Sequence, residues 1–66
     1  MSELVKRELE KNKENIVLLF LKNGFRYRGK VLEVDDSFVK IDDFKSGEEL
    51  ICISSIERIS TNGGGR

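Results

Sequence analysis

Residues 17–34 read VLLFLKNGFRYRGKVLEV, and the Asn23-Gly24 pair inside them constrains this chain more than any other feature. Both residues tolerate positive φ, and an Asn-Gly pair flanked by alternating runs is the strongest short-range hairpin signal. Ahead of it, Val17, Leu19 and Leu21 share one parity and Leu18 and Phe20 the other. Behind it, from Phe25 to Val34, the residues Phe25, Tyr27, Gly29, Val31 and Glu33 alternate with Arg26, Arg28, Lys30 and Leu32. Period two is the strand period, so these are two antiparallel strands. One parity is apolar and faces a core, while the other carries three cations. Gly29 inside the second strand predicts a bend or a close backbone approach, as small barrels need.

The remaining elements follow from this hairpin. Residues 2 to about 12 are predicted as a helix, with Ser2 as N-cap, Glu3 in the first turn and a Glu3/Arg7 pair one turn apart. Leu4, Val5 and Leu9 form a narrow apolar stripe that has to dock on something. The segment KNKEN (11–15) ends the helix, with Asn12 or Asn15 for the turn. Asp35-Asp36 is a second turn, and Phe38 to Ile41 a third strand with Val39 and Ile41 inward. DDFKSGEE (42–49) reads as a polar loop. Leu50 to Ile53 is a fourth strand, apolar on both parities, broken by Ser54-Ser55 before a fifth strand, Ile56 to Ile59. Residues 61–66, TNGGGR, read as a flexible tail.

The expected fold is mainly β: an N-terminal α-helix and a five-stranded, strongly bent antiparallel sheet closing towards a barrel. It forms one domain over residues 1–60, with the barrel over about 16–60. Its last two strands would be sheet edges, which are sticky unless covered. Pairing the fourth strand of one subunit with the fifth of the next covers both, and that head-to-tail contact closes into a ring.

Composition narrows the function classes. A chain of 66 residues buries a small core and gains from a staple or from self-association. Cys52 is the only cysteine and there is no histidine, so neither an internal disulfide nor a Cys/His zinc site is expected. The longest apolar run, Ile16 to Leu21, is far shorter than the roughly 20 residues that span a bilayer. With no secretory leader and a lone thiol suited to a reducing compartment, a soluble cytoplasmic protein without a membrane partner is expected. The carboxylates cluster in turns, Cys52 lies in an apolar run where a buried, inert thiol is expected, and no phosphate loop or nucleophile elbow appears. The expectation is a protein that is not an enzyme, with no cofactor, no metal and no small-molecule substrate.

Twelve basic residues balance twelve acidic ones, but not evenly along the chain. Residues 15–34 hold Lys22, Arg26, Arg28 and Lys30 against Glu33, and residues 35–60 are acidic overall. Across the hairpin, Phe20 shares a face with Arg26, Arg28 and Lys30. Cations for phosphates beside an aromatic ring for a base is the chemistry that holds single-stranded nucleic acid. The plain alternative is a set of ordinary solvent-facing strand residues. Phe38 and Lys40 make a smaller pair beside the Asp turn.

The stretch IVLLFLKNGFRYRGKVLEVDDSFVKI resembles the first Sm motif of the Sm/LSm superfamily. The matching residues are Val17, Leu19, Leu21, Asn23, Gly24, Tyr27, Gly29, Val31 and Asp35 or Asp36. ELICISSIERI is similar to the second Sm motif, and NGFRYRG and DSFVKI are particularly similar to the Hfq branch. The resemblance covers about residues 3–60. It implies an Sm-like (SH3-like) barrel after a short helix and a homo-oligomeric ring, hexamer or heptamer, closed through the last two strands. It also implies binding of single-stranded A-rich or U-rich RNA, in RNA metabolism or as an RNA chaperone. On that basis Phe20, Asn23, Arg26 and Arg28 match an A-rich RNA surface, with Lys30 beside them. Phe38 and Lys40, with Ser54, match a loop pocket for uridine, and Lys11 and Lys13 a basic rim. The chain departs from the pattern in two places: Lys40 stands where the family has Asn, and the cation expected at the pore is replaced around Cys52, Ile53 and Ser54. A structural or protein-interaction module on the same barrel, or a subunit of a hetero-oligomeric ring, are the alternatives.

Overall fold

The computed structural model describes residues 2–61. Helix α1 spans Ser2–Lys11. Leu9 is completely buried and Val5 packs beside it, whereas Leu4 is exposed, so the stripe that docks is narrower than expected. Asn12 ends the helix: its side-chain amide donates to the Glu8 carbonyl at 2.8 Å. The Ser2 side chain, expected as the cap, lies outside the described residues. The expected Glu3/Arg7 pair does not form. Among the described residues the helix has two ion pairs, Lys6 Nζ to Asp36 Oδ1 at 2.6 Å and Lys11 to Glu8 at 4.0 Å. Exposed i, i+4 pairs stabilise by only about 0.3–0.5 kcal/mol, little enough for two long side chains to stay apart.

The strands are β1 (Ile16–Leu21), β2 (Arg26–Val34), β3 (Phe38–Asp43), β4 (Gly47–Cys52) and β5 (Ile56–Ser60), with a 3-10 turn at Ile53–Ser55. All pair antiparallel in one sheet of order β4-β3-β2-β1-β5. Val17, Leu19 and Leu21 of β1, Val31 of β2, Val39 and Ile41 of β3, Ile51 of β4 and Ile56 of β5 join Leu9 and Ile53 in a single cluster. For the two edge strands to share one core, the sheet has to curl on itself. The Sm-like architecture expected from sequence is therefore present: a helix, then five antiparallel strands wrapped around an aliphatic core.

Three local readings change. First, Asn23-Gly24 does not form a two-residue turn. Gly24 N–H donates to the Leu21 carbonyl at 3.0 Å and Leu21 N–H to the Phe25 carbonyl at 2.8 Å. Only Gly24 takes positive φ, +94°. This is a three-residue loop, a tight turn followed by a left-handed residue. It sets the register Phe20↔Arg26 and Leu18↔Arg28. A loop one residue shorter would carry every β2 side chain to the other face. Phe25, expected with the inward parity, sits in the loop and is 60% exposed.

Second, β2 contains a bulge: Val31 pairs with Ile41, but Glu33 pairs with Lys40. Leu32 is the extra residue, so the parity reverses after it. Val34 packs on the core and Glu33, expected inward, is exposed. Third, the expected loop 42–49 shrinks to residues 44–46, because Asp42 pairs with Glu48 and Asp43 with Gly47. Asp43 builds this turn. Its Oδ2 accepts from Lys45 N–H at 2.9 Å and Ser46 N–H at 3.1 Å, and its Oδ1 accepts from Arg28 N–H at 3.0 Å. The tail expected at 61–66 lies, beyond Thr61, outside the described residues.

At Gly29 the sheet depends on the absence of a side chain. It is buried opposite Asp43. A Cβ placed there would run into the Asp42 carbonyl oxygen, 2.6 Å from its carbon and 2.8 Å from the Asp43 Cα. These are backbone atoms that cannot swing aside. Gly29→Ala is therefore expected to sit at the high end of overpacking costs, about 3 kcal/mol. In a domain of this size that lowers the melting temperature by more than about 10 °C. A thermal melt with an unchanged midpoint would contradict the close approach.

Candidate nucleic-acid interface

The outer face of the sheet, opposite in parity to the buried cluster, carries the cations in rows. In the first row Phe20 of β1 lies between Arg26 of β2 and Arg58 of β5, each its direct cross-strand partner. The Arg58 guanidinium stacks on the Phe20 ring, 4.2 Å from its centroid. Phe20 itself is half-buried. In the next row Leu18 faces Arg28, whose guanidinium lies 5.4 Å from the centroid of Phe44. In the third row Lys30 sits between Ile16 and Asp42, with Glu48 beyond. Of the residues expected on this face, Phe20, Arg26 and Arg28 are thus brought together, while Lys30 is set among carboxylates. Asn23 lies in the loop, where its side-chain oxygen accepts from Phe25 N–H at 3.0 Å.

Arg58 joins this face without a signal in the sequence. Ile56 and Arg58 share a parity, so a plain alternation would place both inward or both outward. The register shift between Phe20 and Leu21 separates them: Leu21 pairs with Ile56, then Phe20 with Arg58. Glu57 is the extra residue, Ile56 is buried and Arg58 is turned outward. Phe44 falls in the segment that reads as a polar loop, and its 60% exposure at a hairpin tip has no periodic signal.

The weaker expected pocket is a cleft of about 300 Å³ whose lining includes Lys13, Phe38, Lys40 and Leu50. It gathers one rim lysine with the Phe38/Lys40 pair. Ser54 lies in the 3-10 turn, outside this lining, and Lys11 stands apart near Glu8. Asp35 shapes the entrance by accepting from Phe38 N–H at 2.8 Å and Ser37 N–H at 2.9 Å, and these bonds hold its pKa below the usual carboxylate value. Among the described residues no three His, Cys, Asp or Glu side chains gather as a metal site would require. Among the described residues no helix is long and apolar enough to cross a membrane.

With this geometry, the chain is similar to the crystal structure of the pleiotropic translational regulator Hfq. The match covers 86% of this chain and 97% of that one, with a TM-score of 0.75 and 25% identity. The chain has the Hfq-type Sm fold. No protein-family model and no curated protein matches its sequence.

Within this Hfq-like fold Cys52 corrects an expectation. It is exposed, not buried. The alternation of β4 turns Ile51 inward, the 3-10 turn keeps Ile53 there, and the thiol between them is left on the outer face. Its Sγ lies 3.1 Å from Ser54 Oγ. The hydroxyl of Ser54 is the main cause that lowers the thiol pKa, helped by backbone bonds from Ser54 and Ser55. More thiolate at neutral pH means faster alkylation. The folded protein is expected to react readily with iodoacetamide at pH 7, and Ser54→Ala to slow the reaction severalfold. Reaction only after unfolding would restore the buried thiol.

Proposed function

We propose that this protein binds single-stranded RNA as a homo-oligomeric ring of six or seven copies, and acts in RNA metabolism, in the cytoplasm, by holding strands without catalysing a reaction. The single observation that carries the RNA reading is the Arg26-Phe20-Arg58 row. It sets the Arg58 guanidinium on one aromatic ring of an outward sheet face and Arg26 as that ring's cross-strand neighbour on the other side. Guanidinium planes and aromatic faces both stack on bases, and the charges engage phosphates. The solved structure that this chain resembles is that of a translational regulator, which agrees with such chemistry.

Two observations support the ring. Among the described residues β4 pairs only with β3 and β5 only with β1, so each keeps an unpaired edge. Leu50 on the β4 edge strand is 64% exposed, an apolar side chain that suits contact with a second copy. A ring also repeats each row six or seven times, so modest contacts sum through multivalency. This is how a chain with no net charge holds a polyanion.

Labelled oligo-A and oligo-U, titrated at two salt concentrations, test the reading. Binding at low salt that weakens as salt rises is expected, with the slope reporting phosphate contacts. Arg26→Ala combined with Arg28→Ala is expected to weaken it at least tenfold. No affinity for either oligomer at low salt would refute the RNA reading and favour a protein-interaction module. Unchanged binding in the double variant, with loss in Phe38→Ala, would move the site to the Phe38 cleft.

A further inference from the structure

Two hairpin tips meet beside the Phe20 row. The β1–β2 loop brings Phe25 and the β3–β4 loop brings Phe44 and Lys45. Leu18 forms the floor, and Arg26 and Arg28 stand at the side. The cleft between them is about 560 Å³, within the range of small-ligand sites. Phe25 and Phe44 are each 60% exposed, so the core uses little of either ring. The Arg28 guanidinium already lies over Phe44, which shows that this ring accepts a flat, cationic or polarised partner.

The charges select the occupant. Arg26, Arg28 and Lys45 line the cleft against one carboxylate, Asp43. Asp43 has both oxygens occupied, accepting from Arg28, Lys45 and Ser46 backbone N–H groups and from the Ser46 hydroxyl at 3.2 Å. Burial pushes its pKa up, but these bonds outweigh it and hold the carboxyl below its usual value. It therefore stays an anion committed to the turn, and its single charge does not balance the three cations. What fits is a ligand with flat unsaturated faces and negative charge together. A nucleotide unit has both, whereas an acidic peptide supplies the charge alone. The cleft is also continuous with the first row: Arg26 belongs to both, and Leu18 lies two residues, about 7 Å, along β1 from Phe20 on the same face.

We propose that the cleft between the two hairpin tips is a further nucleotide subsite, stacking a base against Phe44 and Phe25 and placing its phosphate near Arg26 and Lys45. It rests on the RNA reading above and extends a strand lying on Phe20 by one nucleotide. Fluorescence anisotropy with oligo-A and oligo-U on wild type, Phe44→Ala, Phe44→Leu and Lys45→Ala tests it. Both Phe44 variants are expected to melt as wild type does and to weaken RNA binding about tenfold, the loss of one stacked base. They keep the salt slope, since no phosphate contact is removed, whereas Lys45→Ala lowers that slope. Wild type that binds RNA beside Phe44 variants that bind it equally well would overturn the subsite and leave the RNA reading standing. Wild type that binds no RNA would overturn both. A labelled oligo-glutamate peptide that binds as tightly as RNA, and is displaced by it, would assign the cleft to acidic peptides instead.

Discussion

The contact of Gly29 with the β3 backbone at Asp42 and Asp43 is the constraint on which the rest of this structure depends. Because position 29 has no side chain, the β3 backbone can lie directly against β2 there. The curl of the sheet lets edge strands β4 and β5 reach one aliphatic cluster that contains no aromatic ring. Asp43 reinforces the same place from outside the core. Its carboxylate ties the β3–β4 turn to the backbone of Arg28, the residue before Gly29. A single carboxylate thus ties the β3–β4 turn to β2 where Phe44 meets Arg28.

The same curvature sorts the charges. A chain with equal numbers of acids and bases presents them in separate rows on its outer face. Lys30 falls in line with Asp42 and Glu48, where its field is largely offset. Two rows away, Arg26 and Arg58 flank Phe20 without a carboxylate directly opposite either position on β1. Arginine suits such a place better than lysine, since its planar guanidinium both stacks and pairs with phosphate. The basic parity of the LKNGFRYRGK run therefore divides into Arg28 over the Phe44 ring, Arg26 across from Phe20, and Lys30 lodged among acids.

Much of the fold was legible in the sequence because strand periodicity and the Asn-Gly signal are local. Val17, Leu19, Leu21, Val31, Val39 and Ile41 lie inward as the alternation requires. What was not legible arises where pairing, not propensity, decides. Leu32 and Glu57 are each one residue out of step with a partner strand, and only the partner reveals it. The first misplaced Glu33 and the second hid Arg58. The β3 and β4 strands run further than expected because Asp42, Asp43, Glu48 and Glu49, poor strand formers, are carried by the ladder and by the bonds to Asp43. Cys52 looked buried because its neighbours are apolar, yet the period that buries Ile51 turns the thiol outward. For the interface, Phe20, Arg26 and Arg28 are legible from parity, and the three-residue loop is what puts them on one face. Phe44 could not, since a residue at a turn tip has no period.

Among the described residues, one copy of the curled sheet leaves β4 and β5 each with an unpaired edge, and the proposed ring joins those edges between copies. Native mass spectrometry of the isolated chain at micromolar concentration tests this most directly. The expected spectrum is a single assembly of six or seven chains with little monomer. A monomer alone would contradict the ring, and with it the summed contacts by which a neutral chain is argued to hold RNA.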